Sequence, residues 1–266
     1  VVLGYDPEAA LIAALGAHAL KTAYSLLVGV TAAFVPAPSF VGRFRLNKTE
    51  QKLASESIAA DAPVLLFMPA YNEEEAVSGC IDRVPEQVHG RRVELIIVDD
   101  GSADSTVACA QESGAEVVQL GENQGLGAAV RVGLRIGVER EAAAVVFCDA
   151  DGEYPPEELA NVVEPILNGD ADYVIGSRFL GRIDHMRPHR RFGNHVLTRA
   201  LQLVARQRIT DGQSGYRALS FAAARNAEII HDFNYAQVLT LDLLAKGFRY
   251  QEVPISSHFR PTGESF

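Results

Sequence analysis

Three acidic residues stand at alternating positions just after an apolar stretch. They are Asp149, Asp151 and Glu153 in FCDADGEYPPEEL, residues 147–159. If the chain stays extended, a period of two points all three side chains to the same side. Clustered carboxylates repel one another unless a cation lies between them, and Mg²⁺ or Mn²⁺ is often shared between one or two carboxylates and substrate phosphates. The spacing therefore predicts a divalent metal site.

A helix start is the alternative explanation of these acids. Proline and acidic residues are common in the first turn of a helix, which accounts for Glu157 and Glu158 in PPEEL. It does not account for two acids in the turn before. We therefore favour metal binding.

Polar residues also follow two earlier apolar stretches. They are Pro69, Tyr71, Asn72 and Glu73 in MPAYNEE, and Asp99 and Asp100 in VDDGSADST. Capping of the next helix accounts for Ser102 and Asp104. Two adjacent acids ahead of the turn exceed what one cap needs, so we expect Asp99 or Asp100 to accept hydrogen bonds from a nucleobase or a ribose.

A glycine-containing turn, GLGAA from Gly125, opens the next helical segment. It is a weak signal for phosphate binding because a single GxG is common. The segment matches neither GxGxxG after a strand with an acid some twenty residues on nor GxxxxGK[ST]. The sequence thus argues against a Rossmann dinucleotide site and against a P-loop.

A basic segment lies between Gly181 and Thr210, where seven arginines and one acid, Asp184, give a local balance of +6. The arginines are Arg182, Arg187, Arg190, Arg191, Arg199, Arg206 and Arg208. Residues 192–205 also carry Phe, Val and Leu at near-helical spacing, so this helix either packs in a core or lies against lipid headgroups with its arginines at the phosphates. For Arg199, Arg206 and Arg208 a solvated basic face is the simpler interpretation. His185, His189 and His195 have no metal-ligand spacing and are expected to tune surface charge.

The bulk composition sets outer bounds on function. The 266 residues are enough for a real core, and the net charge of −10 argues against general nucleic-acid binding. Cys80, Cys109 and Cys148 show neither zinc nor disulfide spacing, which is typical of a reducing compartment.

The first 62 residues differ from the rest of the chain. Residues 9–34 are apolar and long enough to span a bilayer, but His18 and Lys21 interrupt them, so either a membrane-associated helix or a helix packed on the domain fits. Residues 36–62 gain Pro, Ser and charge, as in a linker. We place the main domain at residues 63–266.

Apolar, strand-like stretches alternate with helical ones across that domain. The expected strands are 64–70, 94–102, 115–120, 143–151 and 171–179, and the expected helices are 73–87, 103–113, 125–140 and 155–168. This alternation predicts an α/β fold with a mostly parallel sheet covered by helices on both faces. Ligands then bind beyond the carboxyl ends of the strands, where the polar clusters fall.

Several motifs together resemble the family 2 glycosyltransferases of the GT-A fold. The motifs are MPAYNEEEAV, VDDGSADST, NQGLGAAVRVGL, CDADGEYPPEEL, VIGSRF and DGQSGYRALS, in the order and spacing of that family. With LLAKGFRYQEVPISSHFRPTGESF at the end, the chain is most similar to dolichyl- or polyprenyl-phosphate hexosyltransferases of the dolichol-phosphate mannose synthase type. The resemblance covers residues 63–266.

The resemblance implies a role for each matching residue. The nucleotide sugar would be bound by Pro69, Tyr71, Asn72, Glu73, Asp99, Asp100, Gly125 and Asp149. The metal ligands would be Asp149, Asp151 and Glu153, although some relatives have Gln at the position of Glu153. The acceptor phosphate would be bound by Arg178, Arg191, Asn194, Ser214 and Arg260, and the catalytic residues would be Asp151, Arg178 and Asp211.

The resemblance also implies the reaction. It is a Mg²⁺- or Mn²⁺-dependent, inverting transfer of a hexose from a UDP- or GDP-sugar to polyprenyl or dolichyl phosphate, at the cytoplasmic face of the membrane. The protein would be peripheral there or anchored by its N-terminal helix. A lipid phosphate is largely dianionic at neutral pH and needs positioning more than a base, so Asp211 would orient its surroundings.

Two alternatives stay open at this point. A family 2 transferase acting on a sugar or lipid hydroxyl would need a general base, and Asp211 is the candidate. A nucleotidyltransferase on a related fold would release pyrophosphate from a nucleoside triphosphate.

Overall fold

Eight strands form one mixed sheet within residues 58–184, 188–232 and 235–258, the parts of the chain that the computed structural model describes. The strands are β1 (Val64–Ala70), β2 (Gln87–Val88), β3 (Arg91–Asp99), β4 (Glu116–Gln119), β5 (Ala144–Phe147), β6 (Tyr173–Ser177), β7 (Arg217–Ser220) and β8 (Tyr250–Pro254). Their order is β2-β3-β1-β5-β7-β6-β8, and β4 also pairs with β3.

The central strands are parallel and buried on both faces. β1 is parallel to β3 and β5, β4 is parallel to β3, and β6 is parallel to β8. Every residue of β1 and β5 is buried, which explains why both sequences are continuously apolar rather than alternating. β2 pairs antiparallel with β3, and β7 runs antiparallel between β5 and β6.

Helices cover both faces of the sheet. They are α1 (Val77–Ile81), α2 (Thr106–Glu112), α3 (Leu126–Glu139), α4 (Leu159–Leu167) after a 3₁₀ turn (Pro156–Glu158), α5 (Pro188–Ala205), α6 (Phe221–Asn226) and α7 (Tyr235–Ala245). Leu66 and Met68 of β1 pack with α1, α2 and α4 on one face, whereas Leu65 and Phe67 pack with α3, α6 and α7 on the other. In this part of the chain, no helix has the length and apolarity needed to cross a membrane.

The predicted α/β architecture is confirmed, with two corrections. The helix expected over residues 73–87 is only α1, and Pro85 prevents the helix from continuing. The N–H groups of Glu73 and Glu74, ahead of α1, donate to Thr106 and Asp104. β2, β7 and β8 are additional strands, short and without clear alternation of polarity. The N-terminal helix proposed at 9–34 and Arg260 lie outside the described residues, and the domain boundary near residue 63 stays a prediction.

Glycines in α3 allow this helix to lie close to the sheet. A Cβ added at Gly133 would overlap the ring of Phe67. We therefore expect Gly133→Ala to lower the free energy of unfolding by about 1–3 kcal/mol, although Ala is the better helix former. Urea unfolding measures this change.

Gly79 in α1 is the matched control, because no atom lies within 4 Å of a Cβ added there. Gly79→Ala should be neutral or stabilising by up to about 1 kcal/mol. Equal effects of the two substitutions would contradict the close packing of α3 on Phe67.

Candidate active site

Three of the predicted site segments meet at one edge of the sheet. β1 pairs with both β3 and β5, with Ala70 opposite Asp99 and Phe67 opposite Phe147. Because the three strands are parallel, the segments that follow them emerge side by side. The structure thus brings together residues 71–74, 100–106 and 148–154.

The segments after β1 and β3 are joined by hydrogen bonds. The side-chain oxygen Oδ1 of Asn72 accepts from the backbone N–H of Ala103 at 2.8 Å. The backbone N–H of Asn72 donates to Ser102 Oγ at 2.9 Å. Both carboxylate oxygens of Asp99 accept from the N–H of Ser102 at 3.3 Å. Asn72 therefore fixes the edge on which Tyr71 and Asp99 lie, and contact with a nucleotide stays a prediction for these residues.

Asp100 holds the start of α3. Its two carboxylate oxygens accept from the N–H groups of Gln124 at 2.8 Å and Gly125 at 2.9 Å. Gly125 has a φ of +94°, which favours glycine. The N–H of Gly127 donates to the carbonyl of Asp232. Three N–H groups of this turn are thus bonded within the protein, so the contribution of Gly125 to nucleotide binding stays a prediction.

Asp149 lies among like charges. Burial raises the pKa of its carboxyl well above the usual range, Asp151 and Glu153 raise it further, and Arg178 and Arg217 lower it. The donor atoms of this loop are oxygens, which hard divalent ions prefer. Asp149 and Asp151 therefore fit a divalent ion.

The carboxylate of Glu153 is paired with Arg178. Its Oε1 accepts from Arg178 Nη1 at 2.9 Å and from Ser257 Oγ at 3.4 Å, and its backbone carbonyl accepts from the N–H of His258 at 2.8 Å. Within the described ranges, no three acidic, His or Cys side chains are arranged to hold a metal together. Glu153 thus joins residues 148–152 to the segment after β8, and its role as a metal ligand stays a prediction.

Arg178 is a buried cation that pairs with two carboxylates, those of Glu153 and Asp211. It is 5% exposed, and it grips Asp211 bidentately, with Nε to Oδ2 at 2.7 Å and Nη2 to Oδ1 at 3.0 Å. Burial lowers the pKa of Arg178, but Tyr154, Asp211 and Glu153 together raise it, so the guanidinium stays protonated. Asp211, fully buried, also accepts from the N–H of Gln213 at 3.2 Å. Both oxygens of Asp211 are therefore occupied.

The predicted acceptor residues are not all brought together. Arg191, exposed, and Asn194, half-buried, lie on α5. Ser214 is fully buried, and its hydroxyl accepts from the N–H of Tyr216 at 3.2 Å, which is a structural role in this conformation. A phosphate contact by these three residues stays a prediction.

The helix α5 presents apolar side chains to solvent. Phe192, Val196 and Leu203 are 72%, 47% and 80% exposed and share one face by helical spacing. Thr198 and Leu201, on the opposite face, are buried. The helix predicted over 192–205 is confirmed, and it both packs on the domain and leaves an apolar stripe uncovered by the described residues.

Two residues of the site have no role predicted from the sequence, although both lie in motifs quoted above. Tyr154, in CDADGEYPPEEL, lies under the Arg178 guanidinium, 5.8 Å from ring centroid to Cζ. Arg217, in DGQSGYRALS, is fully buried.

Comparisons with known proteins agree with the geometry. The family model described as glycosyl transferase family 2 matches residues 66–227. A polyprenol monophosphomannose synthase of Mycolicibacterium smegmatis is 32% identical over 216 residues, covering 76% of this chain and 79% of that protein. A UDP-N-acetylglucosamine–dolichyl-phosphate N-acetylglucosaminyltransferase of Methanococcus voltae is 31% identical over 185 residues, covering 62% and 72%.

A solved structure is similar in fold. Glucosyl-3-phosphoglycerate synthase from Mycobacterium tuberculosis, crystallised with Mn²⁺, UDP and glucosyl-3-phosphoglycerate, superposes with a TM-score of 0.62 at 24% identity. The superposition covers 81% of this chain and 77% of that one.

Proposed function

The chain belongs to glycosyltransferase family 2, and on that premise we propose that it transfers a hexose from a nucleotide sugar to polyprenyl or dolichyl phosphate. The predicted enzyme class and the GT-A fold are confirmed by the family match and by the structural similarity. The names of two relatives, which specify dolichyl phosphate and polyprenol, support a lipid acceptor.

The hydrogen bonds of the Asp211 carboxylate are the observation that favours a phosphate acceptor over a hydroxyl acceptor. A hydroxyl acceptor must lose a proton to a base, whereas a phosphate monoester is largely ionised at neutral pH. Asp211, the candidate base, is fully buried and uses both oxygens to hold Arg178. This arrangement favours orientation over proton transfer, so it supports a phosphate acceptor.

The donor would lie along the edge formed after β1, β3 and β5. Tyr71, Glu73 and Asp99 are the candidates for the nucleotide, and Asp149 and Asp151 would hold Mg²⁺ or Mn²⁺ beside its diphosphate. A divalent ion, when bound, offsets the charge that develops on the leaving diphosphate. In the transfer, an acceptor phosphate oxygen forms a bond to the anomeric carbon and the bond from that carbon to the diphosphate breaks, with inversion.

Arg178 joins the donor and acceptor sides in this proposal. It contacts Glu153, after β5, and Asp211, before β7. Because both contacts are made within the protein, the position of Arg178 is fixed before substrates bind. A guanidinium suits phosphate oxygens because it offers several N–H donors in one plane. We assign to Arg178 the electrostatic stabilisation of the phosphate groups.

The acceptor would reach the enzyme at the cytoplasmic surface of a membrane. Phe192, Val196 and Leu203 of α5 supply the apolar face of an interfacial helix, and Arg199 and Arg206, both exposed, supply charges at the level of lipid phosphates. This surface is compatible with peripheral binding to anionic lipid.

A radiolabel transfer assay tests the proposal. The full chain is incubated with polyprenyl phosphate, Mn²⁺ or Mg²⁺ and each of a panel of labelled UDP- and GDP-hexoses, and lipid is extracted into organic solvent. We expect label in the lipid with one donor, no transfer with EDTA, and activity lowered about a thousandfold by Asp151→Ala, which removes a candidate ligand.

Asp170→Ala, an exposed acid beyond α4, is the control and should behave as wild type. Label that enters only a hydroxyl-bearing sugar or lipid would replace the phosphate acceptor with the hydroxyl one. Sedimentation with anionic vesicles forms a second arm, and binding unaffected by Phe192→Ser with Leu203→Ser would rule out α5 as the membrane surface.

A further inference from the structure

Arg217, the first residue of β7, is a fully buried cation whose hydrogen-bond acceptors among the described residues are all neutral. Its Nη1 donates to Tyr173 Oη at 2.6 Å, to the carbonyl of Ala236 at 2.8 Å and to Thr240 Oγ1 at 3.2 Å. The guanidinium also lies 5.6 Å from the ring centroid of Tyr235. These bonds anchor one side of the guanidinium to β6 and α7.

The other side of the guanidinium holds the loop that precedes β7. Nε donates to the carbonyl of Ser214 at 2.8 Å and Nη2 to the carbonyl of Gly212 at 3.1 Å. Asp211, adjacent to Gly212, grips Arg178. Two bonds from one rigid group therefore fix the backbone that carries the partner of Arg178.

The same loop, residues 211–216, also lies against the segment after β5 that carries Asp149. A Cβ added at Gly215 would fall on the carboxylate of Asp149, so only glycine allows this approach. The N–H of Gly215 donates to Tyr154 Oη at 3.0 Å. The position of residues 211–216 thus decides the surroundings of both Arg178 and Asp149.

Burying an arginine without a carboxylate is unfavourable for stability alone. Replacement of buried charges by apolar side chains is often neutral or stabilising, so a buried cation is weak evidence for a stabilising role. The bonds of Arg217 to Ser214 and Gly212 instead connect it to the loop that carries Asp211.

We infer that Arg217 is a positioning residue for the transfer reaction: its guanidinium fixes residues 211–216, and through them the pair Arg178–Asp211. The inference rests on the proposed function, which gives Arg178 and Asp149 their roles. Arg217 itself is not expected to touch a substrate.

Substitution by Met and by Lys tests this role. Arg217→Met removes the fork of donors that fixes residues 211–216, so we expect kcat to fall about a hundredfold, while Mn²⁺ binding in the presence of UDP or GDP is measured by electron paramagnetic resonance. Arg217→Lys keeps the charge but has no planar fork. Its Mn²⁺ affinity should stay within about threefold of wild type, while kcat still falls at least about tenfold.

Tyr173→Phe is the matched control for a purely structural effect. It removes an acceptor of Arg217 on the side away from the loop and leaves the bonds to Gly212 and Ser214. We expect a lower Tm with the kcat and Mn²⁺ affinity of wild type. If Arg217 were merely structural, the Met variant would show this same pattern.

Three results would overturn the inference. A Lys variant with kcat within about twofold of wild type overturns the positioning role, and this result is available even if the Met variant does not fold. A folded Met variant with the kcat of wild type overturns it as well. Wild-type protein that neither binds Mn²⁺ with a nucleoside diphosphate nor transfers a sugar overturns the proposed function and the inference together.

Discussion

Asp149→Asn will remove most of the transfer activity and at the same time make the ligand-free protein more stable. The substitution keeps the shape of the side chain but removes a charge that lies beside Asp151 and Glu153 in a buried setting. We expect a gain of about 1 kcal/mol in the free energy of unfolding, as is common when a site is relieved of functional strain. Loss of a charged metal ligand should lower kcat about a thousandfold.

The order of stability should reverse when ligands are added. A ligand at about a hundred times its Kd stabilises the native state by about 2.7 kcal/mol, and only wild type would gain this from Mn²⁺ with a nucleoside diphosphate. Urea unfolding with EDTA and with both ligands measures the two orders. Asp170→Asn, on the exposed surface, should show neither effect. An Asp149→Asn variant that is less stable than wild type in EDTA would disprove the account of this loop.

Breaking the pair of Arg178 and Asp211 should have the largest effect on the folded state. Asp211→Asn leaves the buried guanidinium with Glu153 as its remaining carboxylate among the contacts described above. Loss of one partner of a buried pair costs about 3–5 kcal/mol, because the other charge is left uncompensated. Transfer should fall together with stability, about a hundredfold or more, since the position of Arg178 is lost.

A double-mutant cycle with Arg178→Lys measures the coupling of the pair. We expect about 2–3 kcal/mol of interaction free energy, because the two side chains share two hydrogen bonds in a buried setting. Arg249 and Asp172 form a bidentate pair of the same geometry at the surface, with bonds of 2.9 and 3.0 Å and Arg249 56% exposed. The same cycle there should give less than about 1 kcal/mol.

The pH profile of the Asp211→Asn variant distinguishes orientation from proton transfer. If Asp211 orients Arg178, the profile of kcat keeps its shape at a lower rate. If Asp211 is the base for a hydroxyl acceptor, the acidic limb of the profile disappears and the protein stays as stable as wild type. The second outcome would refute the phosphate acceptor.

Local patterns in the sequence predicted the three strands that lead into the candidate donor side. β1 was predicted with its observed bounds, and β3 and β5 were located although their ends differ by several residues. Continuous apolar strands and the acids behind them are read from neighbouring residues, so parallel pairing and a shared edge followed from general rules. Contacts within each loop, such as Asn72 to Ser102, depend on the folded register and could not be predicted.

The acceptor side depends on contacts between residues far apart in sequence. Glu153 and Arg178 are 25 residues apart, and Arg178 and Asp211 are 33 apart. Spacing predicts Glu153 as a metal ligand, and this stays a prediction, whereas its pairing with Arg178 could not be predicted from local sequence. Arg217 lies in the motif DGQSGYRALS, but its contacts could not be predicted because its acceptors are backbone carbonyls and hydroxyls brought together by β6, β7 and α7.

β7 runs antiparallel to β5, and this pairing affects the spacing of the two halves of the site. Asp149 follows β5, whereas Asp211 precedes β7, and the antiparallel pairing places Phe147 opposite Arg217. A slip of one residue between these strands would move residues 211–216 relative to Asp149 and would turn every side chain of β7 to the other face. The hydrogen-bond register of a single strand pair therefore sets the distance between Asp149 and the pair of Arg178 and Asp211.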